Sequence, residues 1–140
     1  MARWLCKQEP DCYSLKDLER DGTTTWDGVA NPLARKNMRM MKPGDRVFYY
    51  HTGKEKSVVG EMEVAAEPTA PADDEKAVVV KMKYVGTLDH PVTLADIKAD
   101  ETLVEWDLVR LARLSVVAVT EAQWKRVLQL SKGKGLPKKK

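Results

Sequence analysis

The sequence predicts an α+β fold: a small, partly closed mixed barrel of about five to six strands with short helices at its periphery. Three observations predict it. Segments of strand character lie far apart in the chain, at residues 2–7, 46–52, 57–64, 77–85 and 112–119. Stretches with helix-start chemistry are interspersed among them, without the regular strand–helix alternation of a doubly wound sheet. Finally, 140 residues with 43% apolar content suffice for one domain with its own core.

The first strand, residues 2–7, puts Trp4 and Cys6 on one face and Leu5 and Lys7 on the other. Pro10 ends it and biases Glu9 toward extended backbone. Lys7, Gln8 and Glu9 thus form a polar cluster directly after a strand, where binding groups gather or the chain simply turns. Ser14 with Asp17 three places on is a helix start, with Leu15 and Leu18 as its apolar side and Gly22 at its end.

Trp26, Asp27, Gly28, Val29, Asn31 and Arg35 then fall within ten residues. Gly28 permits a tight turn or close backbone approach, and Asn31 followed by Pro32 reads as an amide cap with proline at the first helical position. A flat ring, backbone donors and a guanidinium gathered in this way suit a planar polar ligand bearing a phosphate. In the helix from residue 32 to about residue 40, Arg35 and Arg39 share one face. The alternative readings are structural: Trp26 as a core anchor, and the two arginines as a solvated face.

Residues 42–45 form a turn before the aromatic-rich strand 46–52, in which Phe48 and Tyr50 face one way and Val47, Tyr49 and His51 the other. A polar loop at 53–56 leads to the returning strand 57–64, where Gly60 marks a bulge or a close backbone approach. Residues 65–75 read as a surface loop, 77–85 as a strongly alternating strand and 88–92 as a turn. Thr93 opens a second short helix, residues 102–110 are partly helical, and 112–119 are again a strand. Thr120 with Gln123 caps a last helix that turns Trp124, Val127 and Leu128 inward.

The net charge of +3 permits a nucleic-acid partner without requiring one. Five lysines of residues 132–140 supply the excess, so these residues read as a flexible basic tail outside a domain of residues 1–131. Cys6 and Cys12 are too few for a disulfide framework, and with only two histidines in the chain no metal site is expected. No apolar run approaches membrane-spanning length, so the chain reads as a cytosolic protein, nuclear in a eukaryote, with no membrane association. Glycine-rich phosphate loops, the zinc-deaminase signature and the Gly-x-Ser-x-Gly elbow are all missing, which excludes those chemistries and leaves recognition groups rather than a reaction centre.

Several separated motifs carry a family likeness. They are Trp4-Leu5-x-Lys7-x-Glu9-Pro10, Tyr13-Ser14-x-x-Asp17-Leu18, Trp26-Asp27-Gly28-Val29-x-Asn31-x-x-Ala34-Arg35, Met41-Lys42-x-Gly44-Asp45, Tyr49-Tyr50-His51, Val58-Val59-Gly60, Pro91-Val92-Thr93-Leu94 and Arg113-Leu114-Ser115-Val116, with Val119, Thr120 and Trp124 beyond. In this order they resemble the EVE domain, of the PUA-like superfamily. The resemblance implies a PUA-like pseudobarrel and kinship with YTH domains, which read a modified base flipped into an aromatic pocket. It implies a non-catalytic reader of a modified base in DNA or RNA, acting as a monomer without cofactor. Carried onto this chain, the ligand pocket comprises Lys7, Gln8, Glu9, Trp26, Gly28, Val29, Asn31, Tyr50, His51, Leu114 and Ser115, with Trp26 stacking and with Arg35 and Arg39 on phosphate. Gln8 stands where the family usually has serine, and Ala30 and Pro32 where it usually has arginine and tyrosine. Two alternatives remain: a small hydrolase of a modified nucleoside using Lys7 and Glu9, and a module that binds a metabolite or peptide.

Overall fold

In the computed structural model, which describes residues 2–133, the apolar run at the N-terminus forms β1 (Arg3–Gln8) in the interior of a sheet. It pairs in parallel with β3 (Arg46–His51) on one side and antiparallel with β6 (Val116–Val119) on the other. Such a central position requires apolar side chains on both faces, which explains why Trp4, Leu5 and Cys6 are all buried. Beyond β3 come β4 (Ser57–Val64), β5 (Val80–Thr93) and the short edge strand β2 (Thr23–Trp26). The six strands form one mixed sheet in the order β2-β5-β4-β3-β1-β6, curled into a half-barrel, so the expected α+β class is found.

Bulges supply the curl. Tyr49 pairs with Gly60 but Tyr50 with Val58, which leaves Val59 as an extra residue on β4. Across the next ladder Gly60 pairs with Thr87 and Val58 with Val92, so residues 88–91 of β5 swing out of register. This stretch was expected to be a turn because it contains Pro91; instead the strand runs on, and the proline occupies the irregular part where the ladder is interrupted. Ser131 holds the excursion in place, donating its hydroxyl to the His90 carbonyl at 2.7 Å and accepting the His90 N–H at 3.1 Å. Gly60 is required at its bulge: a Cβ there would lie 2.4 Å from Leu15 Cδ2 and 2.7 Å from the Gly86 carbonyl oxygen.

The helices begin where their caps predict. Helix α1 (Leu15–Asp21) has the Ser14–Asp17 capping box, and α2 (Pro32–Arg39) starts at Asn31, whose side-chain oxygen accepts from Leu33 N and Ala34 N. Thr93 and Asp96 box the start of α3 (Leu94–Lys98), and a single turn, α4 (Asp107–Arg110), follows. Helix α5 (Glu121–Gly133) starts at the Thr120–Gln123 box. It includes Lys132, one of the lysines of the expected tail, while residues 134–140 of that tail lie outside the described residues.

One buried core results, and it covers both faces of the central strands. On one, Phe48 stacks on Trp124 of α5 with ring centroids 3.7 Å apart. On the other, Trp26 meets Tyr49 edge to face at 5.4 Å beside Leu15, Leu18 and Met38, and the Tyr49 hydroxyl donates to the Tyr13 carbonyl.

Candidate functional site

Parallel pairing of β1 with β3 sets Lys7 beside Tyr50 and Gln8 beside His51. The period of two sends Lys7 and Tyr50 to one face and His51 to the opposite face. Where β1 and β3 end, a cleft of about 600 Å³ opens on the Lys7 face. Lys7, Gln8, Glu9, Tyr50 and Ser115 line it, five of the residues expected to bind ligand.

Each is held by its neighbours. The Lys7 ammonium donates to the Ala112 carbonyl at 2.9 Å and lies 5.7 Å from the Tyr50 ring centre, a cation–π arrangement. Partial burial lowers the Lys7 pKa below that of an ordinary lysine, because removal from water disfavours the ammonium. The same effect pushes the Tyr50 phenol up to about 12, so it stays protonated and able to donate at neutral pH. Gln8 Oε1 accepts the Glu9 N–H at 3.0 Å, which commits the oxygen and leaves the two amide N–H donors without a partner among the described residues. Glu9 accepts from the Thr52 hydroxyl, and the Lys7 N–H is bonded to Ser115 O at 2.9 Å. Apolar walls come from Leu94 on α3 and Leu108 on α4.

The remaining expected residues lie elsewhere. Trp26 is only 4% exposed, and its indole packs against Tyr49. This corrects the expectation of an open stacking platform: on β2, Thr23 and Thr25 face solvent, so alternation turns Trp26 into the core. Gly28 does adopt a left-handed turn (φ 73°) and is exposed, and the carbonyl of half-buried Val29 accepts Arg35 Nε at 2.7 Å. Arg39 donates to the Lys76 carbonyl at 2.6 Å. Both arginines therefore brace loops with their described contacts. His51 is buried: Nε2 accepts the Leu15 N–H at 3.1 Å, which requires the Nδ1–H tautomer, and Nδ1 faces Glu55 at 3.0 Å. It is a satisfied structural group that lines a different cleft. Asn31 and Leu114 line a smaller cleft of about 280 Å³ next to the first, and Ala112 and Arg113 belong to both.

Sequence reasoning missed Lys56, Lys98 and Arg113, which also line the Lys7 cleft. They come from the β3–β4 loop, the end of α3 and the segment before β6, so no local pattern joins them. Only Arg113, adjoining Leu114 and Ser115 in one of the quoted motifs, left a trace in the sequence.

Comparison with known proteins places this geometry in context. Thymocyte nuclear protein 1 of Homo sapiens is 28% identical over 165 aligned positions, covering 92% of this chain and 73% of that protein. An NMR structure of a Rhodopseudomonas palustris protein superposes with a TM-score of 0.90 at 38% identity, covering 94% of both chains. The crystal structure of human THYN1 protein in complex with 5-methylcytosine-containing DNA superposes with a TM-score of 0.88 at 27% identity, covering 94% of this chain and 98% of that one. These structures share the curled PUA-like sheet found here. The EVE domain family model matches residues 2–130, nearly all that the structure describes, and the chain belongs to the EVE domain family.

Proposed function

We propose that this chain is a non-catalytic reader of a modified base in nucleic acid, and that the base enters the cleft between Lys7, Tyr50 and Ser115. The carrying observation is the cleft itself: a concave site whose wall offers N–H and O–H donors from Lys7, Gln8 and Tyr50, with Leu94 and Leu108 as apolar surface. Donors suit the carbonyl and ring-nitrogen edge of a pyrimidine, and an apolar wall suits a methyl group. The DNA complex of the human relative supports the ligand class.

Magnitudes limit what such a site achieves. Extruding a base from a duplex costs a few kcal/mol, and an open aromatic stack returns about 1–3 kcal/mol. With Trp26 in the core the stack is lost, so a single strand, or a base already unpaired, is the favoured substrate. Burying one methyl contributes about 0.8 kcal/mol, roughly fourfold in affinity, so discrimination beyond that must come from hydrogen bonds to a polar modification.

The test is a fluorescence-anisotropy titration of matched oligonucleotides, single-stranded and duplex, each with cytosine or one 5-methylcytosine at the same position. Tighter binding of the modified single strand is expected. Equal affinity for modified and plain strands would overturn the reading.

A further inference from the structure

We infer that Lys56, Lys98 and Arg113 form the phosphate-binding track of this protein, the surface along which a nucleic-acid backbone runs when a base occupies the Lys7 cleft. The inference rests on the reading of that cleft as a base site and adds to it the path of the strand.

Three observations carry it. The cleft is lopsided in charge: Lys7, Lys56, Lys98 and Arg113 line it against the single carboxylate of Glu9. Next, Arg113 is unlike the other arginines among the described residues. Arg3, Arg20, Arg46, Arg110 and Arg126 have acidic partners, and Arg35 and Arg39 hold backbone carbonyls. Arg113 is exposed, has no hydrogen bond or ion pair among the described residues, and stands at the seam of two clefts. A guanidinium held ready in this way presents a planar fork that matches phosphate oxygens. Lastly, the opposite wall is a fixed one. Lys56 has φ of 41°, the one positive value at a non-glycine residue among those described, and its carbonyl accepts the Leu94 N–H at 2.7 Å. That bond ties the loop to the start of α3, and Lys98 stands at the end of the same helix. Both lysines are exposed and unpaired among the described residues.

In the sheet order Lys56 and Lys98 adjoin β4 and β5 and Arg113 precedes β6, so the cations flank the β1–β3 pair, whereas Arg35 and Arg39, expected on phosphate, are occupied with loop carbonyls. Neutralising phosphates makes affinity fall with salt, with a slope of log K against log salt of about −0.7 per phosphate on single strands and about −0.9 on duplex.

The experiment measures that slope for a single-stranded oligonucleotide carrying one 5-methylcytosine. It compares the full chain, Arg113→Gln, Lys56→Gln with Lys98→Gln, and all three together. Lys36→Gln with Lys125→Gln, two exposed lysines that do not line the cleft, serves as the control, and circular dichroism reports the fold of each protein. The slope is expected to become shallower by about 0.7 for Arg113→Gln and by about 2 for the triple variant, with the ratio of modified to plain affinity unchanged and the control slope intact. An unchanged slope in the triple variant would overturn the track, as would an equal loss in the control. An acidic peptide of matched charge that competes as well as the oligonucleotide would also overturn it. Slopes that fall as expected in a protein with no preference for the modified base would keep the track and defeat the base-reading proposal alone.

Discussion

Tyr50 and His51 are neighbours in the chain, yet they open onto two clefts of nearly equal size on opposite faces of β3, about 600 Å³ and about 660 Å³. The first is lined by four cations and one carboxylate. The second collects Glu19, Glu55 and Asp89 against Lys16, with His51 at its base. The polar groups differ as well. His51 spends both ring nitrogens on Leu15 and Glu55, whereas Gln8 and Arg113 keep donors without a partner among the described residues. Volume alone does not separate a binding site from a gap between elements. Charge sign and unspent donors do, and they are the grounds on which the Lys7 face is proposed to meet a polyanion.

The strongest challenge to this contrast is Trp26. As a buried ring against Tyr49 it belongs to the core on the His51 face, so Trp26→Ala should cost about 3–5 kcal/mol of folding stability. Chemical denaturation measures this, and Trp26→Phe should recover most of it. If Trp26→Ala instead keeps its stability and loses only oligonucleotide binding, the ring stands open in solution and the His51 face must be counted in the site.

Next in size is His51→Leu. It strands the Leu15 N–H at the start of α1 and releases Glu55, which should cost about 1–3 kcal/mol with no change in affinity for an oligonucleotide once the variant is folded. A folded His51→Leu protein with weakened binding would join the two clefts into one functional surface.

Lys7→Met sharpens the contrast from the other face. Methionine keeps the apolar stem over Tyr50 while removing the ammonium, so stability should stay within about 1 kcal/mol and affinity for a single strand should drop about tenfold. The pH dependence provides an internal check. Burial lowers the Lys7 pKa, so the folded state releases its proton at lower pH than the unfolded chain does. As pH rises through that lowered value toward the ordinary lysine range, folding stability should rise and affinity for the anionic ligand should fall. Lys7→Met should show neither trend.

How far the sequence foretold this arrangement depends on whether a feature is local. Caps are local: Ser14–Asp17, Asn31–Pro32, Thr93–Asp96 and Thr120–Gln123 each start a helix at the residue the pattern names. Strand β4 likewise spans the expected residues, because Met62 and Val64 alternate with Glu61 and Glu63. The long course of β5 was hidden, since Pro91 signals a turn to any short window and only the bulge opposite Gly60, with the Ser131 clamp, lets the strand continue. Strand β2 was hidden by three threonines that read equally well as a loop. At the site, Lys7, Gln8, Glu9, Tyr50 and Ser115, all expected in the ligand pocket, line one cleft. Trp26 departs because its inward phase depends on pairing with β5, a contact more than fifty residues away that no periodicity encodes. The cations Lys56 and Lys98 were invisible for the same reason: pairing of Ser57 with Thr93 brings the β3–β4 loop against the start of α3.

The smallest expected effect concerns the buttress of the basic cleft. Asp100 follows α3, the helix that contributes Leu94 and Lys98 to the wall, and it accepts from Arg126 of α5 at 2.7 Å and from the Thr102 N–H. The Arg126 hydrogen bond, with that of Thr102 beside it, holds the Asp100 carboxyl below the usual carboxylate range. A lowered pKa in the folded state means that ionised Asp100 favours folding. The contribution is complete above the unfolded carboxylate value near 3.9 and disappears as pH falls through the lower folded value. Asp100→Asn should therefore cost about 1 kcal/mol at neutral pH, and its stability should converge with that of the parent protein in acid below the ordinary carboxylate range. If α3 is positioned through this pair, Asp100→Asn should also weaken oligonucleotide binding slightly at neutral pH without altering the salt slope, since no cation has been removed. A changed slope would mean that Lys98 had moved away from the backbone, and that the wall of the basic cleft is set by α5 rather than by the sheet.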